Sequence, residues 1–297
     1  MRTLKYIVAA ALLIATAGIS QAQRLVILHT NDTHSQIEPV RVGRANGLGG
    51  VERRLQYIDQ VRKEYGKKRV LLLDAGDYNQ GTPYFTMAKG DLEVELMNAM
   101  KYDVATLGNH EFDNGKEELA RRLRNTKFKT LTCNYDFSAT CLKKLVKPYT
   151  IVRRGGMKIG IIGTTSYLEG NVMKEHTNGL VRLDGIERVN HYADILKNKK
   201  HCDLVILLSH FGFDGGSYDK PSDVLMVQNS RNLDLVIGGH SHTFLNEPRE
   251  VEDLDGRRVP PKTAGDAVRN PARGGHCPLR PGAWDPGGGT PLALEQD

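Results

Sequence analysis

Residues 25–34 read LVILHTNDTH, an apolar run that closes on Asn31, Asp32, Thr33 and His34. Four more runs end the same way: VLLLDA before Gly76-Asp77, VATL before Gly108-Asn109-His110-Glu111, LVILL before Ser209-His210, and LVIG before Gly239-His240-Ser241-His242. Short runs rich in Val, Ile and Leu predict strands buried on both faces. Open α/β sheets bind ligands beyond the carboxyl ends of such strands. The five polar clusters are therefore expected to converge on one place that holds carboxylate and amide oxygens and several imidazoles. That donor set suits two divalent metal ions.

Helical patterns separate the strands. Gly49 to Tyr65 places Val51, Leu55, Ile58 and Val61 on one face. Asp91 to Met100 opens on Asp91 as an N-cap with an acidic first turn, and turns Val94, Met97 and Met100 inward. Lys116–Leu123 and Ile186–Leu196 repeat the pattern, with strands expected near Lys129–Asn134, Thr150–Val152 and Met157–Thr164. Alternation of the two predicts α/β layers. A chain of 297 residues holds one large domain of this kind or two small ones.

Of the formal net charge of +6, two charges are Arg2 and Lys5. The remainder is modest and shows no concentrated basic stripe, so a nucleic acid polymer is not an expected partner. Arg121-Arg122-Leu123-Arg124 reads as the solvated face of a helix. The first residues combine a basic start, an apolar core from Ile7 to Ile19, and small residues at Ser20 and Ala22. This predicts a signal peptide over residues 1–22, cleaved before Gln23, and a periplasmic or secreted protein with no stable membrane anchor. An uncleaved N-terminal anchor is the alternative. Among Cys133, Cys141, Cys202 and Cys277, only Cys133 and Cys141 lie close in sequence, and spacing does not fix their connectivity.

Residues 23–259 are expected to form the catalytic domain. Of 12 prolines, seven lie from Pro260 onward, among many glycines and with no Ile, Phe or Tyr. Residues 260–297 therefore read as a disordered or aberrant tail, whether natural or produced by a changed reading frame. Its removal after Pro260 is expected to leave the metal site intact.

Asp32 and His34 are two residues apart, so on an extended backbone they point to the same side and grip one ion. Asp77 has two carboxylate oxygens and is placed to bridge two ions. Asn109 offers a neutral oxygen, and His210, His240 and His242 offer nitrogens. Each alone reads as a structural residue; five clusters at equivalent strand ends do not. Glu111 is expected to accept hydrogen bonds beside the ligands, and His29 to be a core histidine.

Asp-x-His, Gly-Asp, Gly-Asn-His-Glu, a later His and Gly-His-x-His, in that order, resemble the calcineurin-like metallophosphoesterase superfamily. Within it, LVILHTNDTHSQIEP and YDVATLGNHEFDNG are similar to the signatures of the 5′-nucleotidase family, from about Leu25 to about Val251. The resemblance implies a four-layer α/β/β/α sandwich. It implies that Asp32, His34, Asp77 and His242 hold one divalent ion, zinc, manganese or similar, and that Asp77, Asn109, His210 and His240 hold the other. It matches His110 and Asp113 to the catalytic pair, with His110 protonating the leaving alkoxide and Asp113 orienting it. The implied reaction is hydrolysis of a nucleotide or related small phosphate monoester by attack of a metal-bridging hydroxide. Two alternatives keep the same ligands: hydrolysis at a pyrophosphate or sulfur centre, and metal binding without turnover. The family's C-terminal, base-clamping domain has no counterpart after Val259, where Trp284 is the sole aromatic. A separate chain supplying it is the expected macromolecular partner.

Overall fold

The computed structural model describes residues 24–41, 46–245, 247–263 and 292–295. The expected signal peptide, His276, Cys277 and Trp284 lie outside them. Two sheets carry the fold. The first runs, in spatial order, Leu292–Glu295, Arg24–Thr30, Val70–Asp74, Val104–Thr106, Lys129–Leu131 and Val146–Lys147. The second runs Pro261–Thr263, Leu235–Gly238, Leu204–Ser209, Met157–Gly163 and Tyr149–Arg154. Pairing is parallel except at two places: Leu292–Glu295 against Arg24–Ile27, and the Tyr149–Arg154 strand against Met157–Gly163.

Alternation along each strand builds the layers. Leu25, Ile27, Leu71 and Leu73 meet Ile159, Ile161, Ile206, Leu208 and Ile237 in a core between the sheets. Val26, Leu28, Val70 and Leu72 turn the other way, under Ile58 and Val61 of the Val51–Tyr65 helix and Met97 and Met100 of the Asp91–Met100 helix. On the far side, Ile162, Val205, Leu207 and Val236 lie under Ile186 and Val189 of Gly185–Asp194 and Val224 and Val227 of Asp223–Gln228. Burying each such side chain contributes roughly 1.5–3 kcal/mol. The result is the expected α/β/β/α sandwich, with the parallel strands ending on one rim.

Several local expectations change. Asp91 lies inside its helix rather than capping it; Gly90, at φ 91°, takes the cap position. Arg122 is not on a solvated face: it is 1% exposed, and its guanidinium donates to the carbonyls of Lys89 and Glu111. The Glu111 carbonyl is buried and needs a donor, which a long cationic side chain supplies. Cys133 is buried and Cys141 exposed, and both are free thiols. The packed structure also runs past Val259: Pro261–Thr263 is a buried strand paired in parallel with Leu235–Gly238. His29 is buried within its strand, as expected. Among the described residues no helix is long and apolar enough to cross a membrane.

Candidate metal centre

The strand ends do not continue as extended chain. Asp32 has φ 49°, His34 45°, Asp77 54°, His240 77° and His242 51°. The shared orientation expected from an extended backbone at Asp32 and His34 is thus reached through left-handed turns. Residues with a Cβ rarely adopt this region, at a cost of about 1–3 kcal/mol each unless the surroundings fix them. Here they do. The amides of Asp32, His34 and Ser35 donate to the carbonyls of Gly76, Asp77 and Tyr78 at 2.9, 3.0 and 3.0 Å, zipping two strand-end loops together. The Asp32 carboxylate accepts from Asn31 Nδ2 at 2.5 Å and from the His240 amide at 2.9 Å, which ties the first sheet's loop to the second's.

Glu111, fully buried, joins two more loops. Its carboxylate accepts from the amides of Asp77 (3.0 Å), Gly108 (2.6 Å) and Asn79 (3.2 Å). The approach is so close that a Cβ on Gly108 would stand 2.1 Å from Asp77 Oδ1, and one on Gly239 would stand 2.8 Å from His210 Nδ1. Glycine before Asn109 and before His240 is therefore a steric requirement.

Two donor groups result. Asp32, His34 and His242 bring one ligand atom each to within 4.8 Å of one another, and so do Asp77, His210 and His240. His34 Nε2 and His242 Nε2 face each other at 3.0 Å, with Asp32 Oδ1 at 3.6 Å from the latter. The Nδ1 of His210 is held by the Ala75 carbonyl at 2.6 Å, which aims Nε2 at Asp77 Oδ2, 2.9 Å away. Fixing one ring nitrogen so that the other ligates is a common arrangement around metal-binding histidines. Asn109 is buried, and its Oδ1 accepts from Ser166 Oγ at 3.0 Å. Ser166 carried no sequence signal beyond its place just after the Met157–Gly163 strand. At the partly exposed edge, His110 Nδ1 meets Asp113 Oδ2 at 2.7 Å, and the His110 and His34 rings are 5.3 Å apart.

The electrostatics fit a cation. Burial disfavours imidazolium at His240, which is pushed down to about 4 with help from His210, and at His34, which is also lowered; both are neutral, as ligation requires. At His210 burial acts the same way, but the Asp77 carboxylate outweighs it and pushes the imidazole up to about 10. Burial opposes ionisation of Asp77, and His210 holds its carboxyl well below the usual range. The His210 imidazolium and the Asp77 carboxylate thus support each other's charge. His110 loses to burial but gains more from the Asp113 hydrogen bond and from Asp77, and is raised.

Residues 25–244 match the model of the calcineurin-like phosphoesterases, and the chain belongs to that family. It is 38% identical to the 5′-nucleotidase of Homo sapiens over 262 residues, which span 80% of this chain and 44% of the relative. It is 37% identical to the snake venom 5′-nucleotidase of Naja atra, across 80% of this chain and 47% of the relative. Among solved structures, the 5′-nucleotidase precursor of Thermus thermophilus is similar at a TM-score of 0.72 and 32% identity, over 82% of this chain and 49% of that one. The NAD nucleotidase of Haemophilus influenzae is similar at 0.70 and 30%, over 83% and 46%. The chain thus spans less than half the length of these relatives.

Proposed function

We propose that this chain is a metal-dependent phosphoric ester hydrolase that acts on nucleotides or related small phosphate monoesters. The observation that carries it is the meeting of two three-donor groups, Asp32/His34/His242 and Asp77/His210/His240, beside the His110–Asp113 pair. Asp32, His34, Asp77 and His242 would hold one divalent ion, and Asp77, Asn109, His210 and His240 the other. Ions held there neutralise phosphoryl oxygens and acidify water. The chain's own contribution is positional. Left-handed turns preset the ligands, Glu111 locks the loops, and Asp113 holds Nδ1 of His110 and favours its imidazolium, so that Nε2 carries the proton that passes to the leaving group. Residues 1–22 are proposed as a removable export signal, which would place the protein in the periplasm or outside the cell.

The test is a panel of p-nitrophenyl phosphate, nucleoside monophosphates, a pyrophosphate and a thiosulfate ester, assayed with manganese or zinc and with chelator. Turnover of monoesters that needs metal is expected. A metal-loaded, folded chain inert to every monoester would refute the proposal, and turnover confined to the pyrophosphate or sulfur substrate would reassign the bond.

A further inference from the structure

Asp223 begins the Asp223–Gln228 helix and is 1% exposed, with no ion pair to its carboxylate among the described residues. Its carboxylate lies where two strands end. Ser209, last residue of the Leu204–Ser209 strand, hydrogen-bonds to it. Gly238, last residue of the neighbouring Leu235–Gly238 strand, packs so closely that a Cβ there would stand 1.9 Å from Asp223 Oδ2. Ser209 and Gly238 are register partners. One residue beyond Ser209 is His210; two beyond Gly238 is His240.

The contacts continue around the His210 turn. Ser209 Oγ also accepts from the Phe211 amide at 3.3 Å, and the Asp223 amide donates to the Gly212 carbonyl at 2.8 Å. Residues 209, 211 and 212 are thus tied, directly or through Ser209, to one side chain and its own amide, while His210 projects from between them. The other oxygen, Oδ1, is buried without a hydrogen-bond partner. A carboxylate so placed costs stability unless it serves something. Apolar residues fill this layer elsewhere, with Val224, Met226 and Val227 next in the chain.

We propose that Asp223 is a positioning residue for the second ion, setting the strand ends that present His210 and His240. It touches neither substrate nor the reacting atoms. The proposal rests on the metal-centre reading above and adds a residue to it. Partners behind ligating histidines are typically worth about 10–100-fold in metal affinity or activity.

The experiment titrates the full chain with manganese in competition with a chelator, measures p-nitrophenyl phosphate kinetics at saturating metal, and records thermal melts of the same samples. Asp223→Ala is expected to weaken one of the two ions about 10–100-fold and the other less than about threefold. Excess metal should restore kcat. Asp223→Asn keeps the shape and an acceptor for Ser209, and should recover most of the affinity. Combining Asp223→Ala with His210→Ala should weaken metal less than the product of the two single losses, because part of the Asp223 effect passes through His210 and only the part through His240 remains. If Asp223→Ala does not fold, Ser209→Ala carries the test, with the same ion weakened by a smaller factor. Unchanged affinity for both ions, or equal weakening of both together with a lowered melt, overturns the proposal. A folded wild type that binds no divalent metal overturns the metal centre itself, which is a different failure.

Discussion

His210 Nε2 stands 2.9 Å from Asp77 Oδ2, and neither side chain reaches solvent. The imidazole is pushed up to about 10 by that carboxylate against the effect of burial. Below that pH a divalent ion must displace a proton to reach Nε2. Metal affinity is therefore expected to rise with pH between 6 and 9, by up to about tenfold per unit for each proton released. Calorimetry in two buffers of different ionisation enthalpy counts the protons, and affinity that is flat across this range would contradict the competition.

Asp77→Ala should cost more bound metal than any other single ligand change, because the proposed bridging carboxylate serves both ions. Elemental analysis after desalting gives the stoichiometry; a wild-type ratio would remove Asp77 from the bridge. Gly108→Ala tests the same spot by steric means, since its Cβ would lie 2.1 Å from Asp77 Oδ1. It should also lower metal content although no ligand is altered.

His110→Ala should retain metal and lose about 10²–10⁴-fold in turnover on esters with poor leaving groups, and far less on p-nitrophenyl phosphate. Equal losses for both would argue against a proton donor. Asp113 raises His110, so Asp113→Asn should lower it. The alkaline limb of kcat/KM, where the donor loses its proton, is then expected to move to lower pH; an unmoved limb would separate Asp113 from that proton.

Truncation after Thr263 should leave both ions and the basal hydrolysis in place. It removes Leu292–Glu295, whose register on the first strand covers only Arg24 to Ile27, away from Asp32. Truncation after Pro260 is expected to behave differently. It deletes the buried Pro261–Thr263 strand, the Lys262 Nζ bond to the Leu245 carbonyl, and Thr263 Oγ1, 3.4 Å from the Asn31 amide nitrogen that also holds Asp32. A loss on the order of 1–3 kcal/mol is expected, with weakened metal. Identical melts and metal content for the two truncations would show that this strand is dispensable.

Much of this was legible from residue order. Buried parallel strands need apolar residues on both faces, so the runs at Leu25, Val70, Leu204 and Leu235 announce themselves, and parallel pairing puts their polar ends on one rim. The backbone at those ends was not legible: Asp32 and His34 satisfy a period of two, and their left-handed turns are held by tertiary hydrogen bonds that the amides of Asp32, His34 and Ser35 donate to the carbonyls of Gly76, Asp77 and Tyr78. Arg122 misled because helical position says nothing of a neighbouring loop whose carbonyls lack donors. Pro261–Thr263 escaped notice because a three-residue edge strand beginning with proline has no periodicity; it is placed by pairing with the neighbouring strand and by contacts to Leu245 and Asn31.

The division of strands between the sheets separates the ligands as well. Apart from Leu292–Glu295, the first sheet comes wholly from residues before Pro148, and the second from residues after it. Asp32, His34, Asp77 and Asn109 belong to the earlier half; His210, His240 and His242 belong to the later one. Oxygen donors thus come from one half, and all but one of the nitrogen donors from the other. Any ion bound between them acts as a cross-link, closing a chain loop about a hundred residues long or longer. Two fragments cut near Pro148 should consequently reassociate more tightly with divalent metal than without it, so that the centre serves as a fastener as well as a site of chemistry.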